Sequence, residues 1–294
     1  MMNLMSTYPD PVLDVNSLAT HLGDPSWAIV DCRADLTNVN YGFKAYEHAH
    51  IPGAVHVDLE VDLSSKKTAS GAGGRHPLPT PEQLSDLFSR LGIDDRVQVV
   101  AYDDTSGHYA ARLWWMLRFM GHRAVAVLDG GWSAWIQAGM PVSAETEYRA
   151  PRLFKGHPRW DRVVTIDEVL TAQKLVDGRA PERYRGEIEP IDPVAGHIPG
   201  AINRPYGLNW GQDGRWRSRE ELLPDFLEML GETSPENAVY YCGSGVSACV
   251  NLVGAARAGL PEGRLYVGSW SEWSRLRTNA SGKPGEVSDD KPVV

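Results

Sequence analysis

The chain of 294 residues is 42% hydrophobic and 23% charged, which is typical of a globular protein and gives enough length for two domains. A formal net charge of −9 argues against general nucleic-acid binding, and the composition excludes the disordered and fibrous classes. Three cysteines, Cys32, Cys242 and Cys249, are too few for a disulfide framework and lack metal-ligand spacing with histidine, so we expect free thiols.

The N-terminal residues 1–10 lack a basic region and a long apolar run. No segment approaches the ~18 consecutive apolar residues of a membrane-spanning helix. We therefore expect a cytoplasmic protein that binds neither membranes nor nucleic acids.

Short apolar runs alternate with helical patterns along the chain. The predicted strands are 28–31, 97–102, 124–128, 238–241 and 265–267, and the predicted helices are 81–91, 109–120, 218–230 and 246–258. Strands of near-continuous apolar character separated by helices predict an α/β protein with a parallel sheet covered by helices on both faces.

Two sequence phrases occur twice and indicate a duplication. His-Ile-Pro-Gly-Ala occurs at 50–54 and 197–201, while Gly-Gly-Trp-Ser-Ala-Trp at 130–135 returns as Gly-Ser-Trp-Ser-Glu-Trp at 268–273. The repeating unit is a whole domain rather than a short solenoid repeat. The first copy is longer between the phrases, and its Gly/Ser/Lys-rich run 64–74 is the predicted insertion. We predict domains at 1–140 and 161–294, joined by a linker at 141–160.

Residues 240–248, Tyr-Tyr-Cys-Gly-Ser-Gly-Val-Ser-Ala, predict a buried strand, a short glycine-containing loop and the start of a helix. Cys242 then lies at the carboxyl end of a strand and at a helix N-terminus, where ligands of parallel sheets bind. Unpaired N–H groups and the helix dipole favour an anion there, such as a nucleophilic thiolate. The alternative is a cysteine that only packs, but packing alone does not require the glycines and hydroxyls of this loop.

The first copy has an acid at the position of Cys242, in the sequence Tyr102-Asp103-Asp104. An aspartate cannot perform the sulfur chemistry of a thiolate. We therefore expect the first domain to be non-catalytic, to close over the second and to supply residues to a cleft between them.

Together these motifs resemble the tandem-domain rhodaneses, which comprise thiosulfate sulfurtransferases and 3-mercaptopyruvate sulfurtransferases. The resemblance covers nearly the whole chain: both His-Ile-Pro-Gly-Ala segments, the tryptophan motifs, the acidic first loop and the Cys-Gly-Ser-Gly-Val-Ser-Ala loop. It implies two tandem rhodanese-like domains, the second with a catalytic Cys242 that cycles through a persulfide. The persulfide and substrate would lie in the loop formed by Gly243, Ser244, Gly245, Val246 and Ser247.

The resemblance also implies the substrates. A small anionic donor gives its sulfur to Cys242, and the acceptor is a thiol, such as thioredoxin or a low-molecular-weight thiol, or cyanide. No metal or organic cofactor is expected. The uncharged loop is similar to that of the mercaptopyruvate enzymes, whereas thiosulfate enzymes place basic side chains after the cysteine; we expect 3-mercaptopyruvate as the donor and keep thiosulfate as the alternative.

Arginines that bind the donor carboxylate are the next expectation from the family. Arg183 matches the first of two such arginines, but the segment Glu189-Pro190-Ile191-Asp192 places Asp192 where the mercaptopyruvate enzymes have the second. That departure resembles the thiosulfate group. Arg75, at the end of the predicted insertion and directly after the run 64–74, is a candidate to replace the missing arginine.

Two further candidates for substrate binding have structural alternatives. Arg179 ends the first strand of the second domain, but it repeats as Arg33, which favours a structural ion pair. His50 and Ser244 match residues proposed to assist the cysteine in mercaptopyruvate enzymes. Because His197 repeats His50, a structural role in the turn is equally open.

Two competing functions make different demands on the sequence. Cysteine phosphatases of related fold need Cys-x5-Arg to grip phosphate bidentately, and the corresponding residue after Cys242 is Ala248. A non-catalytic binding module would be expected to have lost the cysteine in both domains, and Cys242 is present.

Overall fold

A computed structural model describes residues 10–279; the N-terminal segment 1–10, from which a cytoplasmic location was predicted, lies outside them except for its last residue. Within this range the chain divides into two compact units. Unit 1 comprises residues 10–65, 79–160 and 210–218, and unit 2 comprises residues 66–78, 161–209 and 219–279. The predicted domains are contiguous in sequence. In the structure, segment 66–78 belongs instead to unit 2, and segment 210–218 belongs to unit 1.

Unit 1 is built on a parallel five-stranded sheet in the order β1-β5-β4-β2-β3. Its strands are β1 Val12–Leu13, β2 Trp27–Asp31, β3 Ala54–His56, β4 Gln98–Tyr102 and β5 Val125–Leu128. Its helices are α1 Val15–Ala19, α2 Tyr41–His48, α3 Pro81–Arg90, α4 Ala110–Phe119 and α5 Gly131–Gln137. Thr80 fixes the start of α3 with a capping box to Gln83, and the fixed backbone angle of Pro81 suits the first helical position.

Unit 2 repeats this topology, with a parallel sheet in the order β6-β10-β9-β7-β8. Its strands are β6 Val163–Val164, β7 Lys174–Asp177, β8 Ala201–Asn203, β9 Ala238–Tyr241 and β10 Arg264–Tyr266. Its helices are α6 Pro181–Tyr184, α7 Arg219–Leu230, α8 Ala248–Arg257 and α9 Ser269–Asn279, with 3-10 turns at Trp160–Arg162, Val169–Thr171, Tyr206–Asn209 and Pro235–Asn237. The predicted pair of parallel α/β sheets is confirmed.

The central strands are buried because they pack between helices on both faces of each sheet. Every residue of β9 is buried, as is every residue of β5. Trp135 of α5 and Trp270 of α9 are fully enclosed in the cores of their units. Full burial of an apolar side chain contributes about 1.5–3 kcal/mol, so these continuous apolar strands supply much of the folding free energy.

The same buried ion pair follows the corresponding strand in each unit. Arg33 Nη2 lies 2.6 Å from Asp31 Oδ2, and Arg179 Nη2 lies 2.7 Å from Asp177 Oδ2. Each guanidinium also stacks over the tryptophan of its own domain-end motif. The duplication therefore extends from the sequence to individual polar contacts.

None of the helices within residues 10–279 is long and apolar enough to cross a membrane.

Candidate active site

Cys242 directly follows β9 in unit 2 and precedes α8, as the sequence predicted. Its N–H donates to Ser269 Oγ at 3.2 Å, and its carbonyl accepts from the Trp270 N–H at 3.0 Å. The Sγ atom accepts a hydrogen bond from the Gly245 N–H, with a nitrogen–sulfur distance of 3.2 Å. The sulfur therefore accepts one N–H group of its own loop, and the first residues of α9 hydrogen-bond to the backbone of Cys242.

The loop conformation requires Gly245. Its φ of +74° lies in the left-handed region, and a Cβ atom there would come within 2.4 Å of the Val267 carbonyl oxygen. This carbonyl follows β10, so the neighbouring strand sets how closely the loop packs. A side chain at Gly245 would displace the N–H group that faces Cys242.

Several backbone N–H groups of the loop have no protein acceptor. Among the described residues, none accepts a hydrogen bond from the N–H of Ser244, Val246 or Ser247. These groups precede α8, where the helix dipole adds positive potential. The loop that follows Cys242 thus contains three N–H donors without an acceptor among the described residues.

The corresponding loop of unit 1 shows what such donors bind. Asp103 directly follows β4, and its buried carboxylate accepts four backbone N–H groups at 2.7–2.9 Å. The donors are Thr105, Gly107, Tyr109 and Ala110. The anion site of unit 1 is therefore filled by the chain's own carboxylate, whereas unit 2 places a cysteine at this position.

Two guanidinium groups face the loop next to Cys242. A Cβ atom built on Gly243 would lie 3.1 Å from Arg75 Nη2 and 3.5 Å from Arg183 Nη1. Arg75 is carried by the 66–78 segment and Arg183 by α6, so different parts of unit 2 supply the two charges. The two guanidinium groups therefore lie beside the residue that directly follows Cys242.

Carboxylates compensate these arginines. Arg75 Nη1 lies 2.5 Å from Asp192 Oδ1, and Arg183 Nη2 lies 3.4 Å from Asp192 Oδ2. Arg183 also donates to Glu189 at 2.6 Å. Burial raises the pKa of Asp192, and the positive charge of Arg75 opposes that rise. Asp192 therefore pairs with both of the arginines that face Gly243.

Arg179 lies behind this cluster and is fully buried. Its guanidinium donates to both carboxylate oxygens of Asp177 and to the Gly196 carbonyl, and it lies 3.3 Å from Glu189. Burial by itself would lower the pKa of Arg179, but the negative charge of Asp177 and its hydrogen bonds outweigh this, so the pKa of Arg179 is raised. These contacts are those of the structural ion pair, the alternative to substrate binding for Arg179. Arg179 also contacts Glu189, which accepts a hydrogen bond from Arg183.

His50 belongs to unit 1 and has no exposed surface. Its Nδ1–H donates to the Tyr46 carbonyl at 2.7 Å, and its ring stacks on that of Tyr46. His197 makes the same pair of contacts with Tyr184 in unit 2. A buried histidine that is duplicated in this way stabilises a turn, and it has no surface to offer a donor.

His76 is a residue of the site that the sequence interpretation did not select. It is fully buried in unit 2, and its Nδ1 lies 2.8 Å from Ser244 Oγ, in the loop of Cys242. Its only sequence signal is its place directly after Arg75, just beyond the predicted insertion 64–74. The corresponding segment of unit 1 is the exchanged segment 210–218, which contains no histidine, so the repeat did not point to His76.

The first turn of α9 anchors the segment that carries Arg75 and His76. Glu272 Oε1 accepts from the Gly73 N–H at 2.6 Å, and Ser271 Oγ accepts from the Arg75 N–H at 2.9 Å. The domain-end motif of unit 1 has alanine in place of Glu272. The difference between the two motifs therefore coincides with the presence of this segment in unit 2.

The other cysteines are buried away from such donors. Cys32 is enclosed in unit 1, where burial raises the pKa of its thiol well above the usual value. Cys249 lies inside α8 with its Sγ 3.4 Å from the Gly245 carbonyl oxygen. Within residues 10–279, no group of three His, Cys, Asp or Glu side chains has an arrangement that would hold a metal ion.

The comparisons with known proteins identify the family of this chain. The family description "Rhodanese-like domain" matches residues 14–138 and 165–276. A Pseudomonas aeruginosa protein described as a probable 3-mercaptopyruvate sulfurtransferase is 44% identical over 270 residues, covering 89% of this chain and 94% of its own. The thiosulfate sulfurtransferase of Rattus norvegicus is 34% identical over 261 residues, covering 85% and 86%.

Among solved structures, the 3-mercaptopyruvate sulfurtransferase from Leishmania major superposes with a TM-score of 0.83 at 30% identity. The match covers 94% of this chain and 77% of that one. The chain is thus similar to proteins named for either sulfur donor.

Proposed function

The chain belongs to the rhodanese family and is a sulfurtransferase, and we propose that it transfers sulfane sulfur from a small anionic donor to an acceptor through a persulfide on Cys242. The observation that carries the proposal is the pair of duplicated loops. In unit 1 the loop N–H groups hold the carboxylate of Asp103, and in unit 2 the matching loop leaves donors free beside Cys242.

The loop donors suit both states of the sulfur. The Cys242 thiolate attacks the sulfur of the donor, forming a sulfur–sulfur bond while the bond between that sulfur and the rest of the donor breaks. The N–H groups of Ser244, Val246 and Ser247 then stabilise the terminal sulfur anion of the persulfide as an oxyanion hole stabilises oxygen. An acceptor thiolate or cyanide attacks this terminal sulfur and releases the Cys242 thiolate.

We propose 3-mercaptopyruvate as the donor. When its carbon–sulfur bond breaks, the electron pair goes to carbon, and the thiol proton is transferred to that carbon to give pyruvate. Arg75 and Arg183 would bind the carboxylate beside Gly243, as guanidinium groups do through paired hydrogen bonds. A basic side chain at position 243, as the thiosulfate enzymes have, would place a further positive charge against Arg75, whose Nη2 lies 3.1 Å from a Cβ built on Gly243.

Thiosulfate is the second candidate, because this chain, like the thiosulfate enzymes, lacks the second arginine of the mercaptopyruvate enzymes; Asp192 stands at that position. Its sulfur–sulfur bond would break and release sulfite. Steady-state rates with each donor and a common thiol acceptor distinguish the two: a higher kcat/KM for 3-mercaptopyruvate supports our proposal, and a higher value for thiosulfate contradicts it.

The mechanism is tested with Cys242→Ser. We expect this variant to lose sulfur transfer and to show no persulfide by mass spectrometry of the intact protein after donor treatment. Cys249→Ser is the matched control, because that thiol faces the Gly245 carbonyl and should be dispensable. Transfer by Cys242→Ser would contradict the mechanism, and a wild-type protein inactive with both donors would favour a binding module.

The acceptor we propose is thioredoxin or a low-molecular-weight thiol, with cyanide as an alternative. The cytoplasmic location expected from the sequence stays a prediction.

A further inference from the structure

We propose that Asp192 sets the donor specificity of the site: its carboxylate neutralises the arginines beside Cys242 and so weakens the binding of dianionic donors more than that of monoanionic ones. This inference rests on the proposed function, because it assigns the same arginines to donor binding. It assigns to Asp192 the role of weakening the attraction between the arginines and the donor. This role predicts a measurable difference between the two donors.

The contacts place Asp192 between the two arginines. One oxygen is 2.5 Å from Arg75 and the other is 3.4 Å from Arg183. Both guanidinium groups also lie close to Gly243, which has no side chain to separate them from the loop of Cys242. The buried Nε of Arg75 has no hydrogen-bond partner in the part of the chain that the structure describes. Asp192 is thus the carboxylate that both arginines share.

Exposure separates the cluster into two layers. The side chains of Arg75 and Arg183 are 18% and 16% exposed, whereas those of Asp192 and Glu189 are 0% and 4% exposed. A donor anion therefore meets the guanidinium groups first, and the carboxylates lie behind them. Asp192 does not have to leave for a donor to bind, but its charge lowers the positive potential that the donor meets.

The charged groups of the cluster show how Asp192 changes its net charge. The positive groups of the cluster are Arg75, Arg179 and Arg183, and the negative groups are Asp177, Glu189 and Asp192. The cluster is therefore neutral when all six groups are ionised. Replacing Asp192 with asparagine would give it one positive charge while keeping the shape of the side chain.

The electrostatic energy of a bound anion is proportional to the anion's charge. At neutral pH thiosulfate carries two negative charges and 3-mercaptopyruvate carries one. Any fold-change that an added positive charge produces in the binding of the monoanion should therefore appear squared for the dianion. Asp192 thus penalises thiosulfate more than it penalises 3-mercaptopyruvate.

The test compares Asp192→Asn with the wild type, using both donors at low salt. We expect KM to fall by about tenfold for 3-mercaptopyruvate and by about a hundredfold for thiosulfate, with added salt reducing both effects. Asp95→Asn is the control, because it removes one negative charge from a side chain of unit 1 that is 91% exposed. The control should leave both KM values unchanged.

A second measurement avoids turnover. In the Cys242→Ser background, pyruvate and sulfate serve as monoanionic and dianionic probes, and calorimetry gives their dissociation constants with and without Asp192→Asn. The inference is supported if the double variant binds sulfate more tightly than pyruvate. Cys242→Ser alone, which retains Asp192, should show a smaller or a reversed preference for sulfate.

Equal changes for both donors and both probes, no change, or weaker binding in Asp192→Asn would overturn the inference. If Asp192→Asn unfolds, Arg75→Gln tests the same charge argument in the opposite sense: it should raise KM for thiosulfate more than for 3-mercaptopyruvate. The failure of the proposed function has a different signature, since wild-type protein would then transfer sulfur from neither donor.

Discussion

Glu272→Ala tests whether the start of α9 holds the segment that carries Arg75 and His76. The carboxylate of Glu272 is buried and accepts the Gly73 N–H at 2.6 Å, a charge-assisted hydrogen bond. Removing the acceptor loses this bond and leaves the N–H without its partner, at a cost of about 1.5–3 kcal/mol in the free energy of unfolding. For a unit of this size the loss corresponds to a melting temperature lower by roughly 4–10 °C.

The same substitution should affect donor binding more than chemistry. A released segment would no longer hold Arg75 over Gly243, so KM for the donor should rise severalfold, while alkylation of Cys242 by a neutral reagent proceeds at the wild-type rate. Glu272→Gln should recover part of both losses, because its amide oxygen can still accept the Gly73 N–H.

The assays are thermal unfolding followed by circular dichroism and steady-state kinetics at varied donor concentration. Glu228→Ala is the matched control, since it removes a glutamate from an exposed position of α7 and should change stability by no more than about 0.5 kcal/mol. The reasoning is refuted if Glu272→Ala melts with the control and keeps the wild-type KM.

Two further substitutions test the paired loops. Gly245→Ala should destabilise the protein by at least about 3 kcal/mol and abolish transfer, because it adds a clash with the Val267 carbonyl to the strain of a left-handed residue. Gly231→Ala, also left-handed but in open space, should cost only about 1 kcal/mol in urea unfolding and keep activity; equal costs would contradict the packing argument. Asp103→Ala should cost about 3–5 kcal/mol, because four buried N–H groups lose their acceptor, whereas Asp95→Ala should cost almost nothing. Similar urea midpoints for these two aspartate variants would show that the unit 1 loop does not depend on its carboxylate.

The strands that the sequence predicted best are those buried on both faces. Residues 238–241 were predicted as a strand and form β9 with the same bounds, and 124–128 differs from β5 by one residue. The edge strands β1, β3, β6 and β8 were missed. Each has two or three residues, which is too short for a hydrophobic pattern to develop.

The position of Cys242 after a strand was predictable because it depends on local sequence. The neighbours of Cys242 were not, because they come from distant segments that local patterns do not connect. Arg75 was selected as a candidate only on its charge, and His76 was overlooked beside it. For Arg179 and His50 the repeat itself gave the better guide, because Arg33 and His197 make the same contacts in the other unit.

The exchange of segment 66–78 makes the unit that contains Cys242 dependent on the first half of the chain for two residues of its candidate site. A gene fragment that encodes only residues 161–294 would contain Cys242 and Arg183, but it would lack Arg75 and His76. The two copies therefore cannot be separated or shuffled as independent modules without dividing the candidate site.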